Sequence, residues 1–181
     1  MKFPREITVI VDTREHRPLL FNARVMVHDE NGRPHVIGVV ILKKALDAGD
    51  YALEGHEDIC RIERKGSVRE LQQNFLSRDR RRALASLHRL VRNCEHPILM
   101  LDFALMDFYR SSKVDAEPER ALCELIRWCN DLGIRLVVAG ACKATSSRRQ
   151  LGDFVLKTLI LHAFPLRTPV PSVTMEARPR E

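Results

Sequence analysis

Apolar positions along this chain follow two rhythms, and the switches between them mark out its elements. Ile7 to Val11 is a short apolar run with the character of a buried strand, and it delivers Asp12 at its carboxyl end. His16 to Asn22 reads as loop. Arg24 to Val27 and Val36 to Leu42 are apolar stretches separated by Asp29-Glu30-Asn31-Gly32, whose Asn-Gly accepts the positive φ angles of a tight hairpin turn. Ala48 to Leu53 and Ile59 to Lys65 follow as two more strands, with Gly55 and its polar neighbours in the turn between them. That arrangement predicts Asp50 and Glu63 on adjacent strands, facing one another.

From Ser67 to about Cys94 the period becomes helical. Leu84, Leu87, Leu90, Val91 and Cys94 fall on one side of a wheel, and Arg78, Arg81, Arg82, Arg89 and Arg92 on the other, so one face is core and the other basic. Pro97 to Phe103 is a continuous apolar strand ending near Asp102, which reads as a cap. Glu117 to Leu132 is a helix with Pro118 in its first turn and Gly133 placed to end it, and Ile134 to Ala139 is the next strand. Ser146 and Ser147 offer an N-cap for a last helix reaching about Phe164. That helix is apolar around most of its circumference, which means full burial or a further partner surface.

The predicted fold is α/β, a mixed central β-sheet flanked by helices. A doubly wound nucleotide-binding fold would need a glycine-rich turn after an early strand, and Asp12-Thr13-Arg14-Glu15 is the wrong chemistry for cradling phosphates. A length of 181 residues suits one domain, placed at 1–164, with 165–181 as a flexible, proline-bearing tail. A net charge of +6 favours an anionic partner without specifying one. Five cysteines form no CxxC pair and no even framework, and His16, His28, His35 and His56 lack ligand-like spacing. The N-terminus moves to charge at once and no apolar run approaches a membrane span, so the expected setting is cytoplasmic.

The chemistry lies in three ordered blocks: Val11-Asp12-Thr13-Arg14-Glu15, Gly49-Asp50-Tyr51 and Ile62-Glu63-Arg64-Lys65, each against an extended apolar run. Acidic groups and a lysine can therefore converge at strand ends. Hydrolysing a phosphodiester calls for this set: carboxylates to hold a divalent cation, and an ammonium to position or activate water. Asp50 and Glu63 are the expected direct ligands of Mg²⁺, with Mn²⁺ able to substitute. Asp12 is expected to bind the metal directly or through water. Arg64 alternates with its neighbours along a strand and points away from them, toward a phosphate or a salt bridge. Arg14 and Glu15 pair with one another or orient substrate. The arginines of the basic helix face are the expected DNA contacts.

An acidic residue, a gap and then Glu-x-Lys is the PD-(D/E)xK nuclease pattern, and the three blocks together resemble the XPF-type nuclease domain. In that family the third block is followed, three residues on, by an Asp. Here the position is Arg69, with Glu70 one place later, so Glu70 is expected to supply that role as a water-mediated metal contact or by holding Lys65. The resemblance implies a restriction-endonuclease-like fold, with the hairpin at about 24–42 as an elaboration on a shorter connection. It implies a metal-dependent endonuclease acting on branched or flapped DNA in repair, recombination or replication, nucleoid-associated if bacterial or phage, and dimerisation through the nuclease domain. Family members often carry a tandem helix-hairpin-helix module that grips duplex. This chain ends without one, which points to a homodimer built on the last helix or to a separate DNA-binding subunit. The alternatives are a decayed nuclease that binds DNA or a partner, and a restriction-type enzyme that reads sequence.

Overall fold

The computed structural model describes residues 3–110 and 117–165. Strands β1 (Glu6–Val11), β2 (Arg24–His28), β3 (Pro34–Lys43), β4 (Tyr51–Leu53), β5 (Cys60–Lys65), β6 (His96–Leu101) and β7 (Arg135–Val138) form one mixed sheet in the order β2-β3-β1-β4-β5-β6-β7. Helices α1 (Val68–Leu76), α2 (Arg80–Asn93), α3 (Asp107–Arg110), α4 (Glu117–Leu132) and α5 (Thr145–Ala163) complete the described residues. No helix among them is long and apolar enough to cross a membrane. The expected α/β class, with its flanked mixed sheet, is what forms.

Two layers of side chains cover the sheet. Val9 and Val11 of β1, Tyr51 and Leu53 of β4, Ile62 of β5 and Met100 of β6 pack with Leu151, Val155, Leu156 and Ile160 of α5. On the other face Leu99 and Leu101 of β6 meet Leu71 and Phe75 of α1, Leu87 of α2 and Leu125 and Trp128 of α4. Because side chains alternate along a strand, every strand residue of the three sequence blocks is committed to one face or the other.

Topology brings the blocks together. Strands β1 and β3 are parallel, as are β5, β6 and β7, and the antiparallel β4 lies between β1 and β5. The carboxyl ends of β1, β5 and β6 and the amino end of β4 therefore meet on one edge. Gly49 permits the entry to β4: its φ of +83° favours glycine, and a Cβ there would lie 3.2 Å from the Arg61 Cβ.

Several elements differ from the sequence expectation. The hairpin turn is a five-residue loop organised by Asp29, whose Oδ1 accepts from the Asn31 and Arg33 amides, and within Asn31-Gly32 only Gly32 takes positive φ. The hairpin joins the main sheet, β3 running parallel to β1 from Glu6↔Gly38 to Val11↔Lys43. The helical stretch from Ser67 is two helices, broken where the Ser77 hydroxyl turns back to the Gln73 carbonyl and also accepts from the Asp79 amide. Neither Ser146 nor Ser147 caps α5, which starts a residue earlier, at Thr145, with Ala144 at the N-cap. That helix is not fully buried: Leu151, Val155, Leu156, Leu159 and Ile160 lie against the sheet, while Phe154 and Leu161 are 45% and 38% exposed. The tail at 166–181 lies outside the described residues.

Candidate active site

Asp12 ends β1, Asp50 precedes β4, and Glu63, Arg64 and Lys65 end β5. Their backbones are laced together: the Asp12 amide donates to the Asp50 carbonyl at 2.9 Å and the Asp50 amide to the Ile62 carbonyl at 2.8 Å. Tyr51 pairs with Ile62, so the register carried one step further sets Asp50 opposite Glu63, as the sequence predicts. Both acids, with Lys65 and Asp12, project on the α1–α2 side of the sheet. Arg64 projects on the α5 side.

Lys65 lies between two acids, with Nζ 2.8 Å from Glu63 Oε1 and 3.2 Å from Glu70 Oε1. Burial alone would lower its pKa, but the charges of Glu63, Glu70 and Asp50 outweigh burial and raise it, so the group stays an ammonium. Glu70 also accepts from the Gly66 amide at 2.9 Å, while its own amide donates to the Ser67 hydroxyl that caps α1. One helix start thus fixes the acid that holds Lys65. If the chain is a nuclease, Glu70→Ala is expected to slow turnover about tenfold, and to cost about 1 kcal/mol through the lost bond from the Gly66 amide, the Ser67 cap being retained. Glu70→Gln, which preserves the hydrogen bonds, should restore stability more than rate. Equal turnover by all three proteins would remove Glu70 from the site.

Burial, and then the charge of Glu63, push the Asp50 carboxyl well above its usual range, while the Arg64 amide, donating at 2.6 Å, opposes this only in part. An acid whose folded pKa is raised is destabilising once ionised. Its cost begins as pH rises past the unfolded value, 3.8, and is complete above the folded one. Asp50→Asn is accordingly expected to raise Tm by about 2–4 °C at neutral pH without divalent cations, corresponding to about 1 kcal/mol. The gain should vanish near pH 4, and calorimetry across that window checks it.

Asp12 is placed differently from expectation. Its carboxylate, 2% exposed, accepts from the Arg14 amide at 2.7 Å, from Arg14 Nε and Nη2 at 2.8 Å each, and from the Leu46 amide at 2.7 Å. Burial raises its pKa, but these bonds outweigh that and leave it lowered. Arg14 is held in turn by the Leu46 carbonyl. Asp12, Asp50 and Glu63 therefore do not come together as one ligand set, and among the described residues no group of three or more His, Cys, Asp or Glu side chains does. Arg14 and Glu15 do not pair with one another: Arg14 clasps Asp12, while Glu15 Oε2 lies 3.4 Å from Arg64 Nη1.

Arg64 takes the salt bridge that the alternation allowed. Its Nε donates to Asp102 Oδ2 at 3.1 Å and its Nη1 to the Arg17 carbonyl at 3.0 Å. Asp102 is the residue sequence reasoning undervalued. It is no helix cap: it anchors Arg64 and accepts from the Cys142 amide at 2.9 Å. Its place after an apolar strand parallel to β5 was the signal.

Arg14, Asp50, Glu63, Lys65 and Glu70 line a cleft of about 350 Å³. It adjoins a second, of about 360 Å³, that shares Arg14, Glu63 and Lys65 and adds Arg82 and Arg89 from α2. Arg92 lies farther along, with Arg14, Asp47 and Arg89. The basic face divides: Arg82 and Arg89 border the second cleft, Arg92 lies beyond it, Arg81 is exposed elsewhere, and Arg78 sits in the break before α2. Arg80, off the predicted face, pairs with Glu124 at 2.8 Å and covers Trp128.

The comparison with solved structures bears on this arrangement of strands and clefts. XPF from Aeropyrum pernix superposes with a TM-score of 0.55 at 16% identity, over 87% of this chain and 65% of that one. The chain has an XPF-type nuclease fold. The structure of XPF from Aeropyrum pernix in complex with DNA gives a TM-score of 0.54 at 20% identity, over 91% of this chain and 68% of that one. The XPF-type fold described here thus spans about two thirds of the length of those chains. No protein-family model and no curated protein matches the sequence.

Proposed function

We propose that this chain is a metal-dependent DNA endonuclease that hydrolyses phosphodiesters by water attack, acting on branched or flapped DNA in repair, recombination or replication. The observation that carries the reading is the convergence of Asp50, Glu63 and Lys65 in a cleft continuous with one lined by Arg82 and Arg89. A solved neighbour described in complex with DNA supports the choice of ligand.

The donor set fits a hard divalent cation. Asp50 and Glu63 are opposed carboxylates whose mutual repulsion a dication would relieve, and Mg²⁺ characteristically takes one or two carboxylates and keeps several waters. Those two residues would hold Mg²⁺, or Mn²⁺ in its place. Bound there, the ion supplies Lewis acidity and lowers the pKa of a water. Lys65, fixed by Glu63 and Glu70, aims its ammonium at the negative charge that builds on the phosphoryl group. Arg82 and Arg89 hold neighbouring phosphates. Arg64 stays with Asp102 and Glu15 and keeps the end of β5 in register.

The test is incubation of purified protein with labelled flap, fork, junction and plain duplex DNA, in Mg²⁺ and in EDTA. Cleavage in Mg²⁺ alone is expected, with branched substrates cut faster. A DNA-binding module that does not cut is the second reading, favoured by the full engagement of Asp12 and by Arg69 in place of an acid. It predicts binding without cleavage in Mg²⁺ as well as in EDTA. Exchanging Arg82 and Arg89 for Glu is expected to flatten the slope of log affinity against log salt by about one unit per lost phosphate contact. Arg81→Glu, outside the clefts, serves as control. A homodimer through Phe154 and Leu161 of α5, or a separate DNA-binding subunit, would extend the grip on duplex.

A further inference from the structure

Arg61 is a buried cation that the proposed reaction does not use. It lies on β5, on the same face as Glu63 and Lys65, is 8% exposed, and takes part in no ion pair among the described residues. Its guanidinium bonds instead to backbone: Nε donates to the Glu57 carbonyl at 2.7 Å and Nη1 to the Ala48 carbonyl at 3.1 Å. A buried charge without a counterion costs stability, and an apolar side chain of similar length would fill the same space without that cost. What Arg61 adds is its span, which ties the segment entering β4 to the turn entering β5. That segment is held at three successive carbonyls by three arginines: Leu46 by Arg14, Asp47 by Arg89 at 3.4 Å, and Ala48 by Arg61. Arg14 and Arg89 are exposed and line the second cleft, where phosphates would compete for them. The Arg61 bond alone of the three is buried. Its stem also packs beneath the turn, since a Cβ on Gly49 would lie 3.2 Å from the Arg61 Cβ and 3.4 Å from Leu90 Cδ1 of α2.

We propose that Arg61 is a positioning residue for the cation site: by holding the Ala48 carbonyl it fixes the turn at Gly49, and with it the Asp50 carboxylate opposite Glu63. The inference rests on the reading of Asp50 and Glu63 as cation ligands and names what keeps them in place. Two like-charged carboxylates repel, so without a cation they stay opposed only if the backbone that carries them is anchored. The Asp50 amide is bonded to the Ile62 carbonyl on one side, and Arg61 secures the chain on the other. An anchor on backbone holds whether or not a cation is present and whether or not DNA has drawn Arg14 and Arg89 away.

The test titrates Mn²⁺ into the full-length protein without DNA and follows the free ion by electron paramagnetic resonance. Arg61→Met, which fills similar space without the two bonds, is expected to weaken Mn²⁺ binding at least about tenfold, as loss of a group behind a metal ligand does. Arg61→Lys, which keeps a charge on one nitrogen and cannot span both carbonyls, should lose nearly as much. In an Asp50→Asn background the change to Met should add less than about twofold, because the residue it positions is no longer a ligand. Ile37→Val, in the core on the α5 face, controls for lost stability and should leave Mn²⁺ binding unchanged. Amide exchange supplies a readout without metal: in Arg61→Met the Asp50 amide should exchange faster relative to that of Leu99 in β6. Mn²⁺ affinity within about twofold of the parent in Arg61→Met, or an equal loss with and without Asp50→Asn, would overturn the proposal. A parent that binds Mn²⁺ no better than Asp50→Asn would refute the metal reading instead. Faster exchange at Asp50 would then still decide for Arg61, and unchanged exchange against it.

Discussion

Glu63→Gln and Lys65→Ala are each expected to lower the cleavage rate at least about a thousandfold while changing DNA affinity less than about threefold. The split follows from where these groups sit. Lys65 is held between Glu63 and Glu70 within the cleft, so its charge is aimed at one point and adds little to the phosphate attraction proposed for Arg82 and Arg89. Glu63→Gln also leaves Lys65 without its nearer counterion and Asp50 without its like-charged neighbour, so Mg²⁺ affinity should fall alongside the rate. Single-turnover cleavage and fluorescence anisotropy on one fork separate the two quantities. A variant that cuts at the parental rate, or one that fails to bind DNA, would remove its residue from the chemistry assigned here.

Gly152→Ala is expected to destabilise the protein by about 3 kcal/mol, lowering Tm by about 6–12 °C. On propensity alone the change would stabilise a helix interior by about 1 kcal/mol. Here packing reverses the sign, because a Cβ at Gly152 would lie 2.2 Å from the Leu20 carbonyl oxygen and 3.0 Å from its carbon. Both are backbone atoms, so no side chain can swing aside. The loop that would have to move also carries Arg17 and Pro18, whose carbonyls hold Arg64 and Arg148. Activity should fall with stability even at temperatures where the variant is folded. Urea unfolding with an unchanged m-value checks the first part, and an unfolding free energy within about 0.3 kcal/mol of the parent would mean that α5 can shift.

The parts of this structure that could be read from the sequence are those set by local pattern. The short apolar runs of β1 and β6 marked strands, and the turn around Gly55 was enough to set Asp50 against Glu63. What escaped depends on distance along the chain. The parallel pairing of β3 with β1 carries no local signal, since a hairpin reads the same whether it stands apart or joins a sheet. The grip on Asp12 needs Leu46, 34 positions away, and the role of Asp102 needs Arg64, 38 positions away. The break at Ser77 was written locally, but a serine hydroxyl that turns back on its own helix leaves the apolar period almost intact and so is masked by it.

Strand β4 contributes only Tyr51 to Leu53, yet it joins two halves of the sheet that share no other strand pairing: β2-β3-β1 on one side and β5-β6-β7 on the other. It is a seam. The acids come into opposition only when Tyr51, Ala52 and Leu53 pair with β1, and Tyr51 and Ala52 with β5. Opening the seam alone would part Asp12 from Asp50 and Asp50 from Glu63 while most of both cores stayed packed. The opposition of the acids is thereby tied to the join of the sheet rather than to either half, and amide exchange at Tyr51 and Ala52 would report directly on how often the site comes apart.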